Sequence, residues 1–194
     1  EDLRQGVVYL LPVSWARFLT GQLGFALGHP VRYFSLLFYL LTRYGDALYD
    51  ANKIVELEPN SSNSYASRVG PLIALKRQNE AFNDCVRGLS LDPKNSLLYA
   101  QRAALYMFRE QYEYGIADAT KAIALNAKNA AAYVNRGACY AAQEKYPQAA
   151  ADLIKATAID PKDKDAWRNL GSVYNYQSKY VQAVTCYTKS INID

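Results

Sequence analysis

Residues 130–161 read AAAYVNRGACYAAQEKYPQAAADLIKATAIDP, and sliding this stretch by 34 residues in either direction finds its own pattern again. Tyr65, Tyr99, Tyr133 and Trp167 stand 34 apart, as do Leu57, Leu91, Leu125, Ile159 and Ile193. Pro59, Pro93 and Pro161 share one slot, with Ala127 between them. A fixed period of this size is the mark of stacked repeats. Within each period, aromatic and small residues fall on helical spacing and a turn falls near the middle, so each unit reads as two helices.

The period divides the chain into repeats at 28–61, 62–95, 96–129, 130–163 and 164–194, preceded by a divergent apolar segment at 1–27. Tyr99, Ala103, Tyr106 and Tyr112 recur as Tyr133, Gly137, Tyr140 and Tyr146, and again as Trp167, Gly171, Tyr174 and Tyr180. The small residue admits the facing helix and the aromatics fill the space beside it. Ser61, Asn95, Asn129 and Asp163 precede the four later repeats, and all four are N-cap formers. This set of slots resembles the tetratricopeptide repeat, a 34-residue helix–turn–helix. The resemblance implies an all-α, right-handed α-solenoid of about five units. It also implies a scaffold that binds a protein or peptide on the concave face lined by the first helices, with no cofactor.

The first 27 residues lie outside the repeat. Ser14 is placed to cap a helix from Trp15 to about Leu27, with Trp15, Phe18, Leu19 and Leu23 on one face. Two readings stand: a cap over the apolar end of the first repeat, or a segment that contacts a membrane or a partner. Pro12, Arg17, His29, Pro30 and Arg32 break the run, so no transmembrane helix is expected. No basic stretch precedes the apolar part, which argues against a cleavable signal peptide. The chain starts without methionine and stops one residue short of the proline slot, and the expectation is a fragment of a longer protein.

Three features depart from the plain repeat. Repeat one has an orthodox second helix with Tyr44 and Ala47, but Val31, Ser35 and Phe38 make its first helix degenerate, as a terminal unit allows. Pro71 falls inside the first helix of repeat two, where it removes a hydrogen bond to Ser67 and is expected to kink or shorten the helix. Arg68, Arg102 and Arg136 pair with Asp84, Asp118 and Asp152 at a spacing of 16, and in repeat five both members change together, to Leu170 and Cys186. That covariation points to an ion pair, either between the helices of a unit or between neighbouring units. A basic slot, Lys53, Arg87, Lys121, Lys155 and Lys189, sits near the end of each second helix, where it complements the helix dipole.

No catalytic constellation is visible. The one histidine, His29, lies in the divergent region, which leaves a Ser/His/Asp triad without its base. GQLGFALG at 21–28 lacks the lysine of a phosphate loop. Cys85, Cys139 and Cys186 are scattered and odd in number, which fits buried thiols in a reducing compartment rather than disulfides or a metal site. The reading is therefore not an enzyme, without metal or cofactor, in the cytoplasm or another reducing intracellular compartment, with an organelle-membrane association open through the N-terminal segment. The net charge of +4 argues against nucleic acid as the main partner.

The candidate contacts lie on the first helices. One slot reads Ser67, Gln101, Asn135, Asn169, a row whose amides can hold a peptide backbone with little regard to its sequence. Ordinary polar residues on a solvated face would look the same. On spacing alone, Asn135 is the member that the packing frame of Tyr133, Gly137 and Tyr140 does not need. Ala100, Ala104, Val134, Ala138 and Ala142 form a small apolar floor, Phe108 and Tyr176 share a rim slot, and Arg168 and Asn175 add polar contacts at the C-terminal end. The chaperone-binding branch of the family uses a carboxylate clamp. Its five slots hold Ala100, Ala104, Asn135, Asp165 and Asn169 here, so capture of an Hsp70 or Hsp90 tail is not expected. The leading reading is a non-enzymatic interaction scaffold. The alternatives are a structural subunit held through its convex face and apolar N-terminal segment, and a membrane-associated receptor.

Overall fold

The computed structural model describes the backbone of residues 29–193 and the side chains of 42–193. The expected N-terminal cap at 1–27 and its membrane reading lie outside the described residues. Among the described residues the secondary structure is entirely helical: α1 His29–Leu57, α2 Ser62–Ala74, α3 Gln78–Leu91, α4 Ser96–Phe108, α5 Tyr112–Leu125, α6 Ala130–Ala142, α7 Tyr146–Ile159, α8 Lys164–Tyr176 and α9 Tyr180–Ile191. The chain forms two compact units, 1–47 and 48–194, and the boundary falls within α1. Residues 48–193 form an α-solenoid. Four helix pairs follow the 34-residue period, and each pair packs on the next.

Repeat one departs from the expected helix–turn–helix: α1 runs unbroken for 29 residues. The reason lies in one slot. Each later unit turns between its helices on a residue with positive φ, and these residues, Lys76, Glu110, Glu144 and Ser178, are one period apart with φ of 58–60°. One period before Lys76 stands Thr42. A β-branched side chain strongly disfavours the left-handed conformation, so the helix carries on through it. The later part of α1 still serves as a second helix. Leu48 is buried with Ala66, Val69 and Leu72.

Pro71 lies inside α2, yet α2 spans 13 residues, the same length as α4, α6 and α8. The helix is not shortened. Three of the four expected N-caps form. Asn95 Oδ1 accepts from Leu98 N and Asn129 Oδ1 from Ala132 N, both at 3.2 Å, and Asp163 Oδ1 accepts from Asp165 N and Ala166 N. Ser61 makes no side-chain cap. The two asparagines do a second job that an aspartate cannot. Asn95 Nδ2 donates to Ser62 Oγ at 2.9 Å, and Asn129 Nδ2 donates to Ser96 Oγ at 2.8 Å, stapling each unit to the one before.

Core packing within a unit follows a size trade between the two helices. The small slot of the first helix and its opposite number 16 residues later read Val69 and Cys85, Ala103 and Ala119, Gly137 and Leu153, Gly171 and Tyr187. A Cβ on Gly137 would come within 2.9 Å of Leu153 Cγ, and one on Gly171 within 2.8 Å of the Tyr187 ring. From repeat three to repeats four and five the first helix goes from alanine to glycine while its partner grows from Ala119 to Leu153 and Tyr187, so the glycine makes room for the larger side chain. Apart from Lys189, the basic slot does not reach the last helical turn. Lys155 Nζ instead lies 5.7 Å from the centre of the Tyr133 ring, and Lys189 Nζ lies 4.2 Å from that of Trp167. These cations cover the aromatic slot.

Candidate partner-binding face

Within residues 48–193, α2 touches α4, α4 touches α6 and α6 touches α8, whereas no second helix touches another second helix. The first helices therefore form the inner side of the stack. Ser67 and Gly70 of α2, Gln101 and Ala104 of α4, and Asn135 and Ala138 of α6 occupy matching slots there, and none is charged. Ala66 and Ala100 are buried beside them, while Val134 in the same slot of α6 is half-buried. Leu97 and Phe108, at the two ends of α4, are about half exposed. Tyr176, in the slot of Phe108, is 67% exposed and stacks on Tyr146 with ring centres 5.3 Å apart.

The amide row divides. Gln101 Nε2 donates to the Ala66 carbonyl at 3.1 Å, and Asn135 Nδ2 donates to the Ala100 carbonyl at 2.8 Å. Both amides reach back 35 residues and tie their helix to the preceding first helix. Asn135 thus belongs to the frame, contrary to the expectation from spacing alone. Gln101 Oε1 is buried and accepts no hydrogen bond. Ser67 is exposed, and its hydroxyl donates to the Ser64 carbonyl at 2.7 Å, within its own helix. Asn169 is half-buried, with no side-chain hydrogen bond among the described residues. Arg168 is exposed and pairs with Asp165 at 2.9 Å, and Asn175 is exposed near the end of α8. Inter-helix stapling by the amides has no signal in the residue types. It follows only from how closely the alanine-faced helices approach.

The three arginines expected to pair do so, inside each unit. Arg68, Arg102 and Arg136 each hold both carboxylate oxygens of Asp84, Asp118 and Asp152, at 2.6–2.9 Å. The carboxylate hydrogen bonds raise the pKa of all three guanidiniums. Two of the arginines also reach the preceding second helix, where Arg68 donates to Asn52 Oδ1 and Arg136 to Thr120 Oγ1, each at 3.1 Å. By period, the slot of Asn52 and Thr120 holds Val86 in the helix before Arg102 and Ile154 in the helix before Leu170 and Cys186. The cysteines Cys85, Cys139 and Cys186 are free and buried. Burial pushes the Cys85 thiol up to about 12 and the Cys139 thiol to about 11. Among the described residues, no three His, Cys, Asp or Glu side chains converge to hold a metal ion, and no helix is long and apolar enough to cross a membrane.

Residues 130–163 match the sequence profile of the family described as tetratricopeptide repeat. No curated protein matches the chain. Solved structures do. TTC0263, a tetratricopeptide protein of Thermus thermophilus, is 18% identical with a TM-score of 0.71, over 83% of this chain and 88% of that one. The tetratricopeptide domain of Arabidopsis OM64 is 26% identical with a TM-score of 0.55, over 60% of this chain and 96% of that one. The first tetratricopeptide domain of Spaghetti (RPAP3), solved with the HSP90 peptide SRMEEVD, is 23% identical with a TM-score of 0.56, over 61% of this chain and 94% of that one.

Proposed function

Since residues 130–163 are a tetratricopeptide repeat and the array around them has the tetratricopeptide fold, we propose that the chain is a non-enzymatic interaction scaffold that takes a segment of a partner protein against its first helices. The observation that carries this reading is the uncharged, small-residue inner face of α2, α4 and α6, edged by the exposed Leu97, Phe108 and Tyr176. Gly70, Ala104 and Ala138, the accessible small residues, leave room for a partner's larger side chains, and burying them against an apolar segment removes no charge from water. A helix fits this face better than an extended peptide. Gln101 and Asn135 already spend an N–H each on the Ala66 and Ala100 carbonyls, and a helix brings few unmet backbone groups of its own. A carboxylate clamp does not fit the face, because Asp165 stands where that clamp needs a cation.

The test places a photo-crosslinker at Ala104 and at Ala138, with Val86 and Tyr114 as outer-face controls. Crosslinks to one partner segment from the inner positions alone support the reading, and loss of that binding in Ala138→Arg with Asn169→Ala, in an array that still unfolds cooperatively, confirms the face. Equal crosslinking from Val86 and Tyr114 overturns it.

A second reading, a subunit of a larger assembly held through other faces, is favoured by α9. Val181, Val184 and Ile191 are 64–81% exposed there. On that reading Val184→Glu with Ile191→Glu abolishes incorporation, while the crosslinks from Ala104 and Ala138 persist on the first.

A further inference from the structure

A cavity of about 220 Å³ opens beside Arg68, between the end of α1 and the pair α2 and α3. The period explains why it is there. In repeat three the corresponding space holds Tyr106, whose ring lies 5.4 Å from that of Tyr114 in near-parallel stacking and 5.9 Å from the Arg102 guanidinium. Tyr140 and Tyr174 occupy the same slot in repeats four and five. In repeat two the slot of Tyr106 holds Leu72 and that of Tyr114 holds Glu80, and both line the cavity together with Arg68. Two rings are missing, and the opening is the space they would have filled.

We propose that this cavity takes a tyrosine side chain from a partner protein, which supplies from outside the ring that repeats three to five supply from within. Leu72, buried at the inner end of the opening, is its one apolar lining residue among the described residues, and the ring would lie chiefly against the Arg68 guanidinium. The Arg68 guanidinium is fixed beside it by both oxygens of Asp84 at 2.7 Å and by Asn52 at 3.1 Å, so it presents a rigid cationic surface to an aromatic ring. The charges of the lining pair off among themselves: Arg68 with Asp84 at 2.7 Å, and Arg77 with Glu80 at 2.6 Å. A charged ligand would have to compete with these pairs, whereas a neutral ring does not. Asn52 and Asn83 line the same opening with groups that can both donate and accept, which suits a phenol hydroxyl over a plain phenyl. The site is separate from the inner face. Arg68 and Leu72 stand on a different side of α2 from Ser67 and Gly70, a quarter-turn or more away.

The experiment titrates the full 194-residue chain with N-acetyl-tyrosinamide, with N-acetyl-leucinamide as the aliphatic control, and follows the side-chain amide signals of Asn52 and Asn83 by NMR. The expected result is saturable shifts at these two residues with a dissociation constant on the order of 1 mM, and no saturable response to the leucine compound. Leu72→Tyr restores the ring found in the other repeats and is expected to weaken tyrosinamide binding at least tenfold. Glu80→Tyr, a change at an exposed position, closes the opening from its other side with the same outcome and does not depend on how the core tolerates Leu72→Tyr. The proposal is overturned if the Asn52 and Asn83 shifts do not saturate, if the leucine compound gives equal shifts, or if Glu80→Tyr binds tyrosinamide as tightly as the parent. The inner-face crosslinks from Ala104 and Ala138 are unaffected by either outcome, so the two sites stand or fall separately.

Discussion

Asn135 donates from Nδ2 to the Ala100 carbonyl oxygen at 2.8 Å, and in doing so joins the first helices of repeats three and four through a peptide group that is already in its own helix. Gln101 makes the same bond to Ala66. The small slots make it geometrically available, because only alanine-faced helices come close enough for a short amide to cross between them. Asn135→Ala is therefore expected to cost about 1 kcal/mol of stability, the usual net worth of such a bond. Asn135→Asp should cost more, since a carboxylate oxygen would face the carbonyl oxygen. Urea midpoints at unchanged slope check both. An unchanged midpoint for Asn135→Asp would show that the bond carries no weight.

Arg102 and Asp118 form a two-point ion pair in which the side chains keep only 20% and 12% of their exposure. Loss of one partner strands the other, so Asp118→Asn or Arg102→Leu alone should cost about 3 kcal/mol, at the low end for a buried pair because the guanidinium edge still meets water. Repeat five shows the alternative solution: Leu170 and Cys186, with Ile154 in the third slot. Arg102 has Val86 in that third place, so the apolar version should be accepted there. Arg102→Leu with Asp118→Cys is expected to recover at least half of the loss. A double-mutant cycle in urea measures the coupling, and additive losses would mean that the pair is not a unit.

The period alone carried the fold, because packing slots recur whether or not their neighbours are known. Tyr99, Tyr133 and Trp167, with Ala103, Gly137 and Gly171 four residues on, announce the helix pairs together because they recur in one register. The ion pairs were legible for a related reason: repeat five changes both members at once. What was not legible depends on backbone conformation or on distance between helices. That α1 continues unbroken through repeat one turns on Thr42 resisting positive φ, a slot whose importance appears only when Lys76, Glu110, Glu144 and Ser178 are seen to share that conformation. The role of Asn135 depends on how close Ala100 lies, and the cavity beside Arg68 on what Leu72 fails to fill. A row of amides can be read from a sequence, but whether its donors are already engaged cannot.

Gly137 stands with Leu153 Cγ 2.9 Å from where its Cβ would be and the Ala149 carbonyl at 3.2 Å. Alanine in a helix interior is ordinarily worth up to about 1 kcal/mol over glycine. Here the clash decides the sign. Leu153 is fully buried and has nowhere to retreat, so Gly137→Ala is expected to destabilise by about 1–2 kcal/mol net. Leu153→Ala alone should cost about 3 kcal/mol by leaving a cavity. Together the two changes recreate the Ala103 and Ala119 solution of repeat three, and the glycine substitution should then become neutral or favourable. Thermal unfolding of the four chains tests this reversal of sign. Gly137→Ala that is destabilising by the same amount in both backgrounds would break the argument from size compensation.

Cys85 and Cys139 are fully buried, and desolvation lifts their thiols to about 12 and about 11. In the unfolded chain a thiol titrates near about 8.5. Between these values the unfolded state has released a proton that the folded state keeps, so folding stability is whole below about pH 8.5 and falls as the pH rises toward about 11–12. The limiting slope is about 1.4 kcal/mol per pH unit for each thiol. Urea unfolding at pH 7.5, 9 and 10 should show the decline. Cys85→Ala with Cys139→Ala lowers stability at pH 7.5 through lost packing but removes the thiol share of the slope, so the comparison lies in the slopes and separates the thiols from the many tyrosines. The same burial makes a second, independent readout. At pH 8 the native thiols should react with a disulfide reagent only as fast as the chain opens, far more slowly than in urea. Rapid labelling of Cys85 in the folded chain, or a double variant with an unchanged slope, would place that thiol in water and remove the basis for its raised pKa.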